Sequence, residues 1–161
     1  MTERLTLSAV ETDLGPMLLV TSSRGVVAVG RDLATVSADV RVRLPAAELV
    51  PGSHPLAAWL AAWTRGERRD LPPVDLRGLR PFDAAVYAAV RDVGWGERAT
   101  YGDVAVAIGR PGAPRAVGSA MGRCPLFPAV PCHRVVRAAD GWSGWGGDDG
   151  LKRRLLDRER Q

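Results

Sequence analysis

The chain has 161 residues, 46% of them hydrophobic and 25% charged, with a formal net charge of +4. That is the composition of an ordinary globular protein, long enough for one domain with a real core or for two small lobes, and it excludes a disordered chain. Two cysteines, Cys124 and Cys132, are too few for a disulfide framework, and with His54 and His133 they make a poor set for a closed zinc site, so no metal or other cofactor is expected.

The N-terminus, Met1-Thr2-Glu3-Arg4, lacks the charged-then-apolar run of a secretory signal, and no apolar run approaches the roughly 18 residues that a membrane span requires. A cytoplasmic protein with no membrane partner is expected, and no obligate protein partner is evident. Charge is unevenly placed: residues 1–75 carry a net −1 and residues 76–161 a net +5. A phosphate-bearing partner is one reading of the basic half. A genome that writes its basic residues as arginine, Lys152 excepted, is another.

Taken in order, residues 5–10, 16–21 and 25–30 are short runs rich in Leu, Val and Thr, punctuated at Gly15-Pro16 and Ser22-Ser23-Arg24-Gly25. They read as a small antiparallel meander. Residues 33–50 are ambiguous, because Val40, Val42 and Leu44 alternate with polar residues. A helix over 55–65 follows His54-Pro55, with Leu56, Trp59, Leu60 and Trp63 on one core-facing side, and His54 reads as a capping or surface histidine. Residues 70–80 have proline and glycine but no period, and read as a connector between lobes.

Beyond it the pattern turns helical. Phe82, Val86, Ala89, Val90 and Val93 predict a helix over 81–93 that stops at Gly94. Thr100 is a good N-cap for a short helix over 101–108, ending at Gly109. Arg110-Pro111-Gly112 makes a turn, and Pro114 opens the next helix, to about residue 122. Two short helices joined by a tight glycine-containing turn form a helix-turn-helix pattern.

The second of those helices is unusual in composition. Ala116, Gly118, Ser119 and Ala120 are all small, and Gly118 alone costs about 1 kcal/mol of helix stability relative to alanine. Such a helix suits close approach to another backbone, whereas one that reads major-groove base edges carries long polar side chains. A tightly packed interior helix has the same composition. The last helix, over 149–159, turns Leu151, Leu155 and Leu156 inward, and its many arginines read as a solvated face. Before it, Gly141-Trp142-Ser143-Gly144-Trp145-Gly146-Gly147 is a glycine-rich loop without the spacing of a phosphate or dinucleotide loop.

The chemistry concentrates at Val130-Pro131-Cys132-His133-Arg134-Val135. A thiol becomes a nucleophile as thiolate, and a neighbouring imidazole or positive charge draws its pKa toward neutrality. His133 and Arg134 offer both influences. A bare Cys-His pair is equally an inert core cysteine beside a histidine, and neighbours on an extended segment point to opposite sides.

Together, Tyr101, the run Arg115-Ala116-Val117-Gly118, the Pro131-Cys132-His133-Arg134-Val135 segment, the glycine-rich loop and a terminal helix ending at Glu159 resemble the O6-alkylguanine-DNA alkyltransferases. The resemblance covers about residues 80–160 and is loose over the first 75. It implies a mixed α/β fold: residues 1–75 as a small antiparallel sheet-and-helix lobe packed on a mostly helical lobe, residues 76–161, that carries the helix-turn-helix and the alkyl acceptor.

It also implies a function: direct-reversal DNA repair, in which an alkyl group moves once and irreversibly from guanine O6, or thymine O4, in double-stranded DNA to the protein. Cys132 would be the acceptor, His133 would take its proton through a water, and Glu159 would hold His133. Arg115 would fill the gap left by the everted nucleotide, and Tyr101 would contact the guanine ring nitrogen and the 3′ phosphate. Ala116, Gly118 and Ser119 would press into the minor groove, about 6 Å wide, with Arg123 and Arg134 on the DNA side. The carbonyls of Cys132 and Val135 would accept from the guanine amino group, the Gly146 amide would donate to O6, and Trp145 would wall the pocket.

Two positions depart from the family's usual pattern. Cys124 stands where an asparagine commonly ties the recognition helix to the nucleophile segment, and a thiol cannot replace the donors and acceptor of an amide. Trp145 stands where a tyrosine is usual. Two other functions stay open: an alkyltransferase-like module that binds the lesion without transfer, and a diverged relative acting on a small alkylated metabolite.

Overall fold

A computed structural model describes residues 2–138 and 149–160, with residue 149 by its backbone alone. The architecture is mixed α/β, as expected, in two units: Met1–Leu79 with Pro125–Ala129, and Arg80–Cys124 with Val130–Gln161. Among the described residues, no helix is long and apolar enough to cross a membrane.

The first unit is built on the expected meander. Strands β1 (Arg4–Thr12), β2 (Gly15–Ser22) and β3 (Gly25–Gly30) pair antiparallel in sequence. The turn between β1 and β2 is held by Thr12, whose hydroxyl donates to the Gly15 carbonyl at 2.6 Å, with Gly15 at φ 92°. The ambiguous stretch 33–50 resolves into helix α1 (Leu33–Arg43) and strand β4 (Glu48–Pro51), which lies parallel to β1 at the sheet edge.

Asp32 caps α1 by accepting from the Thr35 amide at 2.9 Å. The helix buries Val36 and Val40, four residues apart, against Leu5, Val20 and Val27. Each such side chain contributes about 1.5–3 kcal/mol on leaving water. Helix α2 (Leu56–Thr64) buries Trp59, Leu60 and Trp63, as its spacing predicts, and the His54 ring accepts from the Leu56 amide at its start.

Residues 70–80 are not a simple connector. Val26 donates to the Pro73 carbonyl at 2.9 Å and Asp75 returns a bond to Val26 at 2.7 Å, so the segment adds to the free edge of β3. Asp75 is buried, accepts from the Ser22 hydroxyl at 2.6 Å and pairs with Arg77 at 2.7 Å. Arg43, also buried, donates to the carbonyls of Val27 and Asp75. A run lacking hydrophobic period is held by buried charge instead of by apolar packing. The unit also takes in Pro125–Ala129: Val29 donates to Pro125 at 2.8 Å, and Phe127 meets Trp63 edge-on with ring centroids 5.6 Å apart.

The second unit is mostly helical, with the helix-turn-helix where it is expected. Helix α3 (Pro81–Val90) buries Val86, Tyr87 and Val90. A short strand β5 (Ala99–Thr100) leads into α4 (Tyr101–Ala107), whose start is a full capping box: Thr100 accepts from the Asp103 amide, and the Asp103 carboxylate accepts from the Thr100 amide, both at 2.9 Å. Gly109, at φ 76°, ends it. Helix α5 (Pro114–Gly122) follows with Pro114 in its first turn and buries Val117, Ala120 and Met121. The Tyr87 hydroxyl donates to the Ala120 carbonyl at 2.7 Å, tying α5 to α3. A single 3₁₀ turn at Cys132–Arg134 runs into β6 (Val135–Val136), parallel to β5, and α6 (Asp149–Arg158) closes the unit.

Candidate active site

The nucleophile segment is not extended. Cys132 donates to Val130 at 2.8 Å and Arg134 to Pro131 at 3.0 Å, closing a turn with three residues per revolution. Successive side chains therefore leave it about 120° apart, and Cys132, His133 and Arg134 fan into three directions instead of alternating between two. All three are buried: Cys132 is 3% exposed and His133 fully enclosed.

Glu159, just past the end of α6 and 3% exposed, joins two of them. Its Oε2 lies 2.6 Å from His133 Nε2, while Arg134 donates from Nε to Oε1 at 2.8 Å and from its NH2 nitrogen to Oε2 at 3.0 Å. The remaining Arg134 nitrogen donates to the Val93 carbonyl at 2.8 Å. Its guanidinium stands 5.8 Å from the Trp95 ring centroid, as does that of Arg158. Arg134 is thus a buried brace on Glu159. Its expected place on the DNA side is corrected, because every side-chain nitrogen is committed within the lobe.

The electrostatics follow from burial and these bonds. Burial works to raise the Glu159 pKa, but hydrogen bonds from His133 and Arg134 outweigh it and hold the carboxyl at about 2. Burial lowers the His133 pKa, and Glu159 only partly offsets that, so the ring is neutral at pH 7. Nε2 faces a group that can only accept, which assigns the proton to Nε2 and leaves the lone pair on Nδ1.

Cys132 departs from expectation. A hydrogen bond with Cys124, at the end of α5, and then burial push its thiol well above the ordinary cysteine value, while the Lys152 charge works the other way. The resting sulfur is therefore a neutral thiol, not the thiolate that its sequence neighbours imply. The chemistry available is nucleophilic attack by a sulfur deprotonated only as it reacts, with a neutral imidazole as base and a carboxylate to stabilise the imidazolium.

The other expected residues fall on the helix-turn-helix. Arg115, Ala116 and Ser119 are exposed on α5 at i, i+1 and i+4, with Arg123 exposed at its C-cap, i+8, while Val117, Ala120 and Met121 face inward. One outward stripe of small residues thus carries an arginine near each end. Gly118 sits against Tyr101: a Cβ there would come 4.0 Å from the ring. Arg123 pairs with Asp83 of α3 at 2.7 Å while keeping 42% of its side chain exposed. Val135 is buried, and its carbonyl already accepts from Lys152 Nζ at 2.7 Å. Trp145 and Gly146 lie outside the described residues, and so does the loop around them.

Lys152, on the helix whose arginines read as a solvated face, is only 1% exposed. The signal was present in its spacing: Lys152, Leu155, Leu156 and Glu159 stand at i, i+3, i+4 and i+7 of one helical stripe. Trp95 and Arg158 carried no comparable sign. Among the described residues, no group of three His, Cys, Asp or Glu could hold a metal.

Comparison with known proteins places this arrangement. A family model described as the 6-O-methylguanine DNA methyltransferase DNA-binding domain matches residues 81–161. A methylated-DNA–protein-cysteine methyltransferase of Mycolicibacterium paratuberculosis is 42% identical over 103 residues, covering 63% of this chain and 62% of that protein. A DNA base-flipping protein of Thermus thermophilus is 41% identical over 97 residues, covering 59% and 65%. The matches thus span somewhat under two thirds of these curated relatives. The crystal structure of Mycobacterium tuberculosis OGT in complex with DNA superposes with a TM-score of 0.77 at 31% identity, covering 96% of this chain and 92% of that one. By the family model over its second half, the chain belongs to the 6-O-methylguanine DNA methyltransferase family.

Proposed function

We propose that the protein repairs DNA by direct reversal, moving an alkyl group from guanine O6 in duplex DNA onto its own Cys132. The observation that carries this reading is the buried His133–Glu159 pair, joined at 2.6 Å, with the imidazole on the residue that follows the equally buried Cys132.

In the proposed step, His133 Nδ1 takes the Cys132 proton, through a water as the family resemblance implies, and Glu159 stabilises the imidazolium. The sulfur attacks the alkyl carbon; the S–C bond forms as the C–O6 bond breaks, and the electron pair leaves on guanine, which takes up a proton. The product thioether has no route to hydrolysis at this site, so each molecule acts once. Thymine O4, an oxygen of the same chemical kind, is a second candidate donor.

The base would reach the sulfur by eversion through the minor groove. The small residues of α5, Ala116 and Ser119 on its outward face and Gly118 beside Tyr101, would suit that narrow groove, Arg115 would occupy the vacated stack, Tyr101 would bear on the rotating nucleotide and Arg123 would meet phosphate. The carbonyls of Cys132 and Val135 would read the guanine amino group, with the Gly146 amide and the Trp145 ring completing the pocket. A cytoplasmic location would suit this role.

The test is to incubate the protein with duplex DNA containing O6-methylguanine, digest it and weigh the Cys132 peptide. A gain of one methylene in the wild-type chain and none in Cys132→Ala supports the reading. The likeness to a base-flipping protein favours one alternative, binding of the lesion without transfer. A stable complex with no mass gain would establish that alternative and overturn transfer.

A further inference from the structure

Lys152 brings a cation into the interior of the second unit, where its ammonium donates to the Val135 carbonyl at 2.7 Å. Val135 is the exit residue of the nucleophile turn: its amide donates to the Cys132 carbonyl, capping the turn. Val135 is therefore held at both ends, by Cys132 through its N–H and by Lys152 through its C=O. Taking an ammonium out of water is costly, and a methionine of similar length would fill the same volume without that penalty. Packing alone does not explain a lysine here.

The groups around the acceptor give the charge a purpose. Besides burial, Cys132 feels Cys124, at the end of α5, and the charge of Lys152 on α6, while the buried Tyr87 of α3 feels Cys124, Asp83, Cys132 and Arg123. His133 is faced by Glu159, Arg134 and Arg158. The Cys124 thiol and burial both oppose a negative sulfur, and Lys152 favours it.

We propose that Lys152 is a positioning residue for the alkyl transfer, holding the Val135 peptide at the exit of the nucleophile turn and supplying the positive field in which Cys132 gives up its proton. The proposal rests on the alkyl-acceptor reading above, and its test separates the two. It uses the full chain with Lys152→Met, Lys152→Gln and Lys152→Arg, and follows two rates against pH: methyl transfer from an O6-methylguanine duplex, and alkylation of Cys132 by iodoacetamide without DNA. Thermal unfolding and duplex affinity are measured beside them.

In Lys152→Met both profiles should move to higher pH by about one unit, roughly a tenfold loss of rate near neutrality, with duplex affinity unchanged. Lys152→Arg should restore most of the rate. Lys152→Gln, which keeps a donor but no charge, should behave like the methionine variant in pH and sit nearer wild type in stability. A folded Lys152→Met or Lys152→Gln with the wild-type pH profile would overturn the proposal. Should the methionine variant not fold, the glutamine profile decides. If wild-type protein takes no methyl group while the iodoacetamide profile still moves, the repair reading fails and the role of Lys152 in tuning the thiol stands.

Discussion

Replacing Glu159 by glutamine keeps the volume of the side chain and an oxygen for His133 Nε2, and removes the charge shared by His133 and Arg134. A carboxyl held at about 2 against its ordinary 4.5 contributes about 3 kcal/mol to the folded state at neutral pH. Breaking a buried pair and stranding its partner, here the Arg134 guanidinium, costs about 3–5 kcal/mol by an independent route, so the two agree. For a chain of this size that is a fall in melting temperature of roughly 6–12 °C. The sign with pH follows from a folded-state pKa below the unfolded one. The contribution is complete above 4.5 and is lost on acidification toward 2, because the unfolded chain takes up the proton first. His133, whose pKa is also lowered, costs stability below its ordinary 6.5, and more so in the variant because Glu159 is what partly holds that pKa up, so the carboxylate's own loss is read from the fall of the gap between pH 5 and pH 3. Urea unfolding of wild type and Glu159→Gln at pH 7, 5 and 3, followed by tryptophan fluorescence, should show a gap of about 3 kcal/mol at pH 7 that closes toward pH 3. A gap constant with pH, or none at pH 7, would refute the claim that His133 and Arg134 hold this carboxylate ionised. Measured well below its melting temperature, the same variant should transfer methyl about 10²–10⁴-fold more slowly, the usual worth of a positioned base and its orienting partner.

Arg134→Met should destabilise the fold by about 3–5 kcal/mol in urea unfolding, yet leave the salt dependence of duplex binding unchanged, since a buried brace neutralises no phosphate. Arg115→Ala should leave iodoacetamide alkylation of Cys132 at its wild-type rate and slow methyl transfer from duplex DNA at least tenfold, by withdrawing part of the few kcal/mol that eversion demands. Transfer from the free modified base should then be unaffected. Cys124→Ala removes the hydrogen bond that opposes ionisation of Cys132, so the pH profile of iodoacetamide alkylation should move to lower pH; an unmoved profile would show that burial alone keeps the thiol protonated.

What could be read from the chain alone divides along physical lines. The helix-turn-helix was legible because each boundary carries its own local chemistry: Thr100 with Asp103 for the cap, Gly109 at positive φ, Pro114 in the first turn of α5. Helix α1 was not, because Val42 is 80% exposed and Leu33 53%, which hides the Val36 and Val40 pair that packs. The place of Arg134 had no local sign either, since the carboxylate that it and His133 share, Glu159, lies 25 positions further along the chain. Residues 70–80 defeated periodicity because Asp75, Arg77 and Arg43 hold them through hydrogen bonds that no apolar pattern records.

The same distinction bears on how the thiol is kept. An acceptor that forms a thioether is spent by any soft electrophile, so a low-pKa exposed sulfur would be lost to small alkylating agents before a lesion arrived. Here the Cys124 bond and burial hold the sulfur protonated at rest, while a neutral His133, an ionised Glu159 and a buried Lys152 stand ready to favour its anion. Reactivity is divided between groups that suppress the thiolate and groups that receive its proton and charge. Sequence proximity of Cys132 to His133 and Arg134 pointed to activation alone, because Cys124, Lys152 and Glu159 lie 8, 20 and 27 positions away along the chain. Such a balance makes proton removal, and not the intrinsic acidity of the thiol, the step at which a bound alkylated base can be told from a colliding reagent. It also predicts that Cys124→Ala and Lys152→Met, which push that balance in opposite senses, should largely cancel when combined, leaving a pH profile near that of wild type. An unshifted double variant beside two shifted single ones would show that the two residues act independently on the ionisation of Cys132, and a double variant matching either single one would show that one of them acts only through the other.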